Sequence, residues 1–147
     1  GWDRKFSVNF YYDSNHINDI ALGGAEGGAV VVGDFTYIQG IHSPGIAYWN
    51  GDHWKGVPNY LVHDDGDGQG HGVYCESDEC FVVGYFDALN GFTPSNLSHP
   101  IRTIAHYIYD NVTDNWYPQE TYSIWDDAPF NGFEIKAASF IPFIEEE

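Results

Sequence analysis

The sequence predicts an all-β fold, with two four-stranded antiparallel units in tandem and further strands at both ends. Three observations carry this. The segment VVVGDFTYIQG at 30–40 recurs as FVVGYFDALNG at 81–91, an ungapped offset of 51. Internal repetition at such a period marks a repeated supersecondary unit. Aromatic residues make up 18% of the chain, and flat side chains suit sheet faces and cross-strand pairs. The 17 glycines fall between short apolar runs, where turns need them.

The repeat extends further. Val31, Val32, Gly33, Phe35 and Gly40 match Val82, Val83, Gly84, Phe86 and Gly91. GIAYWNGDHW at 45–54 lines up with TIAHYIYDNVTDNW at 103–116, so that Ile46-Ala47 matches Ile104-Ala105 and Trp54 matches Trp116. The second copy is longer before Ile104 and again before Trp116. Strands are expected at Asn18–Leu22, Ala29–Phe35, Gly45–Trp49 and Trp54–Val57 in the first copy. In the second they are expected at Gly72–Cys75, Cys80–Phe86, Thr103–Tyr109 and Trp116–Pro118. GGAEGG, WNGDHW, ESDE and YDNVTDN are the turn signals between them. Asn50-Gly51 predicts a type I′ hairpin, whose two central residues need positive φ. Gly33 and Gly84 interrupt strands at equivalent places, which predicts a bulge or a close backbone approach in both copies.

The whole chain, 1–147, reads as one β module, with repeat 1 at about 18–58 and repeat 2 at about 71–119. KFSVNFYYD at 5–13 alternates Phe6, Val8, Phe10 and Tyr12, the period of a strand. FEIKAASFIPFIEEE at 133–147 begins like the first strand of a third repeat, with Phe133, Ile135, Phe140 and Ile141 apolar, then ends in an acidic tail. No stretch has the pattern of an amphipathic helix. Ile101–Tyr109 is apolar but β-branched and aromatic, so it reads as strand.

Five Lys and Arg stand against 22 Asp and Glu, a formal charge of −17. That balance disfavours nucleic acid and anionic membrane surfaces, which carry the same sign. It favours solubility and cations, and a surface that merely repels is the plainer alternative. No apolar run approaches the ~20 residues of a membrane span. The chain opens on Gly1 rather than Met, as a processed, mature chain would. Cys75 and Cys80, in CESDEC, fit neither a four-cysteine zinc site nor a C-x-x-C motif. They can face each other across a hairpin as a disulfide, with two buried thiols as the alternative. Asn96-Leu97-Ser98 and Asn111-Val112-Thr113 are glycosylation acceptors. With the cysteine pair, they point to a secreted or cell-surface protein.

The pattern V-x-V-G-x-F-T, then Gly, then I-A-x-W-x-G-x-x-W is similar to the repeats of extracellular β-propeller proteins, in the broad sense kelch and galactose-oxidase-type blades. VVVGDFTYIQG and IAYWNGDHW fit well. The second copy departs from the pattern at Tyr85 and Asp87, and NVTD lengthens its last hairpin. The resemblance covers roughly residues 18–118. It implies two antiparallel, four-stranded, propeller-like blades and little about activity. Propellers typically close with roughly four to eight blades. Two blades leave exposed edges, a liability unless paired. The chain is then a fragment of a longer propeller, a ring-forming oligomer, or a unit stacked head to tail through its terminal strands.

Asp65, Asp67, Gln69 and Glu76 fall at positions 1, 3, 5 and 12 of a loop resembling an EF-hand, with Gly70 at position 6. They are the candidate calcium ligands, against a solvated acidic loop. Asp110, Asp114, Asp126 and Asp127 read as surface carboxylates. No pair among His16, His42, His53, His63, His71, His99 and His106 has zinc spacing, and isolated surface histidines are expected. Tyr48, Trp49, Trp54 and Trp116 invite a sugar-stacking reading. The equivalence of Trp54 and Trp116 across the repeats favours core between blades. Paired carboxylates can hydrolyse glycosides, but no acid stands in a diagnostic context, and no nucleophile elbow, phosphate loop or dinucleotide fingerprint is present.

These residues point to a secreted structural or interaction protein, not an enzyme, that assembles with copies of itself as a filament or surface-layer subunit. Strand exchange would use Phe6, Val8, Phe10 and Tyr12 at one end and Phe133, Ile135, Phe140 and Ile141 at the other. The second reading is a glycan-binding or glycan-processing piece of a propeller, with glycans as partners. Nucleic acid is not an expected partner.

Overall fold

The computed structural model describes residues 16–94 and 104–122. Repeat 1 supplies β1 (His16–Leu22), β2 (Ala29–Asp34), β3 (Tyr37–Ile38), β4 (Ile41–His42), β5 (Ile46–Trp49) and β6 (Trp54–Gly56). A connecting hairpin follows, β7 (Leu61–His63) and β8 (Gly66–Asp67). Repeat 2 supplies β9 (Gln69–Glu76), β10 (Glu79–Tyr85), β11 (Ala88–Leu89), β12 (Ile104–Asp110) and β13 (Asn115–Tyr122). Among the described residues there is no helix.

Each repeat folds into its own four-stranded antiparallel sheet. Sheet 1 runs β1-β2-β5-β6 and sheet 2 runs β9-β10-β12-β13. All eight main strands stand where the sequence places them, with ends shifted by up to four residues. Together the two sheets do not close a propeller among the described residues. The 51-residue offset persists in the small elements. β3 and β11 are equivalent, but β3 pairs with β4 whereas β11 pairs with β7 of the connecting hairpin.

Alternation along the strands gives each sheet two faces. Val30, Val32, Ile46 and Tyr48 of sheet 1 share one core cluster with Val73, Cys80, Val82, Ala105, Tyr107 and Trp116 of sheet 2. The sheets therefore pack face to face. The opposite face of sheet 1 is also apolar and buried, through Val31, Ala47, Trp49 and Trp54. On sheet 2 the opposite face carries Phe81, Val83 and Ile104, each at most 6% exposed. A sheet that is apolar on both faces is an interior layer.

Gly33 and Gly84 do the same work in both repeats. Gly33 pairs with Ile17, and Gly84 with Gly70. Beside each, the first strand of the sheet has one extra residue, Asn18 in β1 and His71 in β9. A Cβ on Gly33 would run into His16 O and Ile17 Cα, and one on Gly84 into Gln69 O and Gly70 Cα, all under 3.0 Å. The bulge and the close approach that the sequence predicts are both present.

Two turns differ from expectation. Asn50 and His53 flank the β5–β6 turn, so its central residues are Gly51 and Asp52. Only Gly51, at φ 96°, is left-handed, the pattern of a type II′ turn. Asn50 lies outside the centre and accepts from the Asp52 and His53 N–H groups. The pair with two positive φ values is Asp64-Asp65, at 55° and 64°, between His63 and Gly66. The type I′ turn therefore sits in the acidic segment.

Gly84→Ala is expected to destabilise the fold by about 2–4 kcal/mol, because backbone rather than a flexible side chain blocks the new methyl. Urea unfolding of the variant against wild type measures this.

Candidate functional site

The junction between the sheets holds the densest set of polar interactions that cross between the repeats. At its inner end β1 is fastened to β9. Asn18 Nδ2 donates to Gly70 O at 2.8 Å, and Val73 N donates to Asp19 Oδ2 at 3.0 Å. The bulge at Asn18 turns these side chains toward the neighbouring sheet. Gly70 permits the approach, since a Cβ there would overlap Val32 of β2.

The outer end is organised by Asp114, in the β12–β13 turn. Its Oδ1 accepts from Tyr48 OH at 2.9 Å and Tyr109 OH at 2.6 Å. Its Oδ2 accepts from Asn50 Nδ2 at 2.9 Å and lies 3.7 Å from Lys55 Nζ. Tyr48, Asn50 and Lys55 belong to repeat 1, so one carboxylate of repeat 2 collects three of its side chains. Lys55 also donates to Thr113 O, and the Tyr48 hydroxyl accepts from Ala25 N. Tyr48, Tyr109 and Trp116 meet ring to ring below this group.

Burial opposes the charge on Asp114, but the hydrogen bonds from Tyr109, Asn50 and Tyr48, with Lys55 nearby, outweigh it and hold the carboxyl below its ordinary value of 3.8. Burial pushes the Tyr48 and Tyr107 hydroxyls far above their ordinary 10.0. Both oxygens of Asp114 are occupied by protein donors, so the group suits cross-linking of two sheets better than proton transfer to a ligand.

The candidate calcium ligands of the acidic segment are spread over several elements. Asp65 is a turn residue, Asp67 lies in β8, Gln69 opens β9 and Glu76 closes it. Eight extended residues hold Gln69 and Glu76 roughly 23 Å apart, at about 3.3 Å per residue. Asp67 Oδ2 instead accepts from Thr36 Oγ1 at 2.6 Å. Gly70 serves the sheet contact, not a loop. No cluster of three or more His, Cys, Asp or Glu gathers as a metal site among the described residues.

The sugar-stacking reading fails on exposure. Tyr48 and Trp116 are 0% exposed, Trp49 5% and Trp54 6%. Tyr48 and Trp116 lie in the core between the sheets, whereas Trp49 and Trp54 lie in the separate cluster on the opposite face of sheet 1. His106 departs from the surface role expected of it. It stacks on Phe81 and meets Glu79 Oε1 at 2.7 Å, on the outer face of sheet 2. Asp110 caps the Val112 N–H.

The two departures of repeat 2 from the repeat pattern have a common cause. Tyr85 stacks on His63, and Asp87 accepts from Asp64 N. Both contact the connecting hairpin. Thr36, the counterpart of Asp87 in repeat 1, holds the same hairpin through Asp67.

Cys75 and Cys80 form the disulfide, with Cα atoms 4.1 Å apart and directly paired across β9 and β10. The turn they flank is shorter than expected, since Glu76 and Glu79 are themselves paired. Asn111 is exposed in the β12–β13 turn, beside Val112 at 88%. Asn96, Asp126, Asp127 and the assembly residues Phe6, Val8, Phe10, Tyr12, Phe133, Ile135, Phe140 and Ile141 lie outside the described residues.

No family model matches this chain, and no curated protein or solved structure gives a significant match. The functional reading therefore rests on the physical properties of the two sheets.

Sequence reasoning placed Asp114 at the surface. Its role as a hub needs the turn of repeat 2 brought over β5, which no local pattern encodes. The signal available was the lengthened hairpin NVTD, one of the two places where repeat 2 exceeds repeat 1.

Asp114→Ala is expected to cost about 2–3 kcal/mol, because it removes a charged acceptor and strands two tyrosine hydroxyls. The pH dependence follows from the shifts. The lowered carboxyl contributes fully above pH 3.8 and loses its contribution as pH falls below that value. The raised tyrosines contribute fully below pH 10.0 and lose their contribution as pH rises above it. Denaturant midpoints across pH should fall at both limits, and Asp114→Asn should flatten the acid limb more than the alkaline one, where burial of the tyrosines is the larger cause. Reduction of Cys75–Cys80 should leave the protein folded, at a cost of roughly 2 kcal/mol for so short a loop; near-ultraviolet circular dichroism before and after reduction checks it.

Proposed function

We propose that this chain is a secreted structural and interaction module, built of two propeller-type blades, that works by assembling with copies of itself. The observation that carries the reading is the apolar character of both faces of both sheets. Val31, Trp49 and Trp54 back sheet 1, and Phe81, Val83 and Ile104 back sheet 2. Such sheets belong in the interior of a stack of layers, so the architecture suits a series of blades longer than two.

The extracellular part of the proposal rests on the Cys75–Cys80 disulfide, which persists in oxidising compartments. No helix among the described residues is long and apolar enough to cross a membrane. Asn111, exposed at its turn, is the glycan acceptor that lies among the described residues. The segments 5–13 and 133–141 remain the proposed exchange strands. Like-charged copies repel, so assembly should be favoured by salt or divalent ions that screen a charge of −17. The glycan-binding alternative loses its support with the burial of Tyr48, Trp49, Trp54 and Trp116.

Sedimentation velocity of native material, repeated with rising salt, tests the assembly. Ordered species larger than a monomer are expected, increasing with salt. A single monomeric boundary under all conditions would sink the proposal. Mass spectrometry of the same material should find glycan on Asn111, and a bare asparagine would remove the glycoprotein part.

A further inference from the structure

We infer that Asn90-Gly91 is a site of spontaneous modification at the joint between the repeats, where the side-chain amide is lost as ammonia and isoaspartate forms. The chemistry needs water and no enzyme. The Gly91 nitrogen attacks Asn90 Cγ and gives up its proton. A Cγ–N bond forms, and the Cγ–Nδ2 bond breaks as ammonia leaves. Water then opens the cyclic imide. Opening at one carbonyl leaves aspartate; opening at the other leaves isoaspartate, with the main chain routed through the side chain. Glycine favours the first step, because no Cβ crowds the attacking nitrogen.

Sequence alone does not select the site. Asn50-Gly51 is the same dipeptide, and Asn131-Gly132, a third, lies outside the described residues. The structure separates Asn50 from Asn90. Attack requires the asparagine side chain to swing its Cγ onto the following nitrogen, so the hydrogen bonds that hold the side chain must first break. Asn50 is half-buried and held three times. Its Oδ1 accepts from Asp52 N and His53 N, and its Nδ2 donates to Asp114 Oδ2 at 2.9 Å. The last acceptor is charged, which strengthens that bond. Asn90 is exposed, and its side chain is held once, by Nδ2 donating to Pro58 O at 3.2 Å. Gly91 is exposed beside it, at φ 71°, in the turn that Leu89 and Phe92 close. A swing of Asn90 therefore breaks one long, solvated hydrogen bond, and a swing of Asn50 breaks three.

The position of Asn90 gives the change a consequence. Residues 58–60, which lead from repeat 1 into the connecting hairpin, are fastened to the turn of repeat 2 through Asn90. Asn90 Nδ2 donates to Pro58 O, Asn59 Nδ2 donates to Asn90 O at 2.6 Å, and Asn90 N donates to Tyr60 O at 2.9 Å. Conversion replaces the Nδ2 donor with a carboxylate oxygen, which only accepts and so repels the Pro58 carbonyl. The isoaspartate form also inserts a carbon into the main chain of a two-residue turn. The joint between the repeats is thereby loosened by a slow, one-way chemical change. The inference stands apart from the assembly proposed above.

The test incubates the wild-type protein in mildly alkaline buffer, folded and in parallel in urea. Peptide mass spectrometry reads the amide-to-acid conversion, and enzymatic methyl labelling reads isoaspartate. In the folded chain the Asn90 peptide should convert at least about tenfold faster than the Asn50 peptide, the effect of two further hydrogen bonds. In urea the two rates should converge. A folded chain in which Asn90 stays intact, or in which Asn50 converts as fast, overturns the inference. So does a gap of the same size that persists in urea, since local sequence rather than structure would then cause it. Converted protein, separated by its added carboxylate, should melt below unconverted protein; equal melting temperatures overturn the effect on the joint.

Discussion

Everything in this fold depends on how closely β1 and β9 can approach. These strands lead their respective sheets, and each carries a bulge opposite a glycine. Gly33 and Gly84 leave room for the bulges, and Gly70 leaves room for Val32 across the junction. The approach brings Asn18 and Asp19 within hydrogen-bonding distance of β9. It also seals the shared core from one end. At the other end the Asp114 hub does the same with a carboxylate and two tyrosines. Between these two polar fastenings lies an apolar layer that cannot slide without breaking one of them.

The fastening is not symmetrical. The bulge residue and its successor are Asn18-Asp19 in β1 but His71-Gly72 in β9. Only the first pair offers an amide and a carboxylate to a neighbouring sheet. Repetition of strands has therefore been kept where packing demands it, while the polar contacts between sheets were specialised for one junction. A further layer against sheet 2 would need other contacts, and Phe81, His106 and Glu79 are the groups that face it.

Charge sets a second constraint. Among the described residues Lys55 is the sole Lys or Arg, and it is committed to Thr113 and Asp114. The charged groups of the remaining described surface are carboxylates, apart from the histidines. An excess of one sign of charge opposes indiscriminate association.

The sequence by itself determined the strands, their grouping into two sheets, the bulges at Gly33 and Gly84 and the Cys75–Cys80 pair. Each of these follows from local alternation, from glycine sterics or from a repeat that aligns with itself. Tertiary structure alone decided what the polar residues do. Asp65, Asp67, Gln69 and Glu76 have the spacing of ion ligands along the chain, but β9 runs extended from Gln69 to Glu76 and carries Glu76 away from the others. Asp114 looks like one more surface acid, yet docking of the sheets surrounds it with donors from residues 48–55. Position along a strand is a short-range property, encoded within a few residues. The neighbours of a carboxylate depend on which strand lies across the junction, and no short-range pattern carries that information.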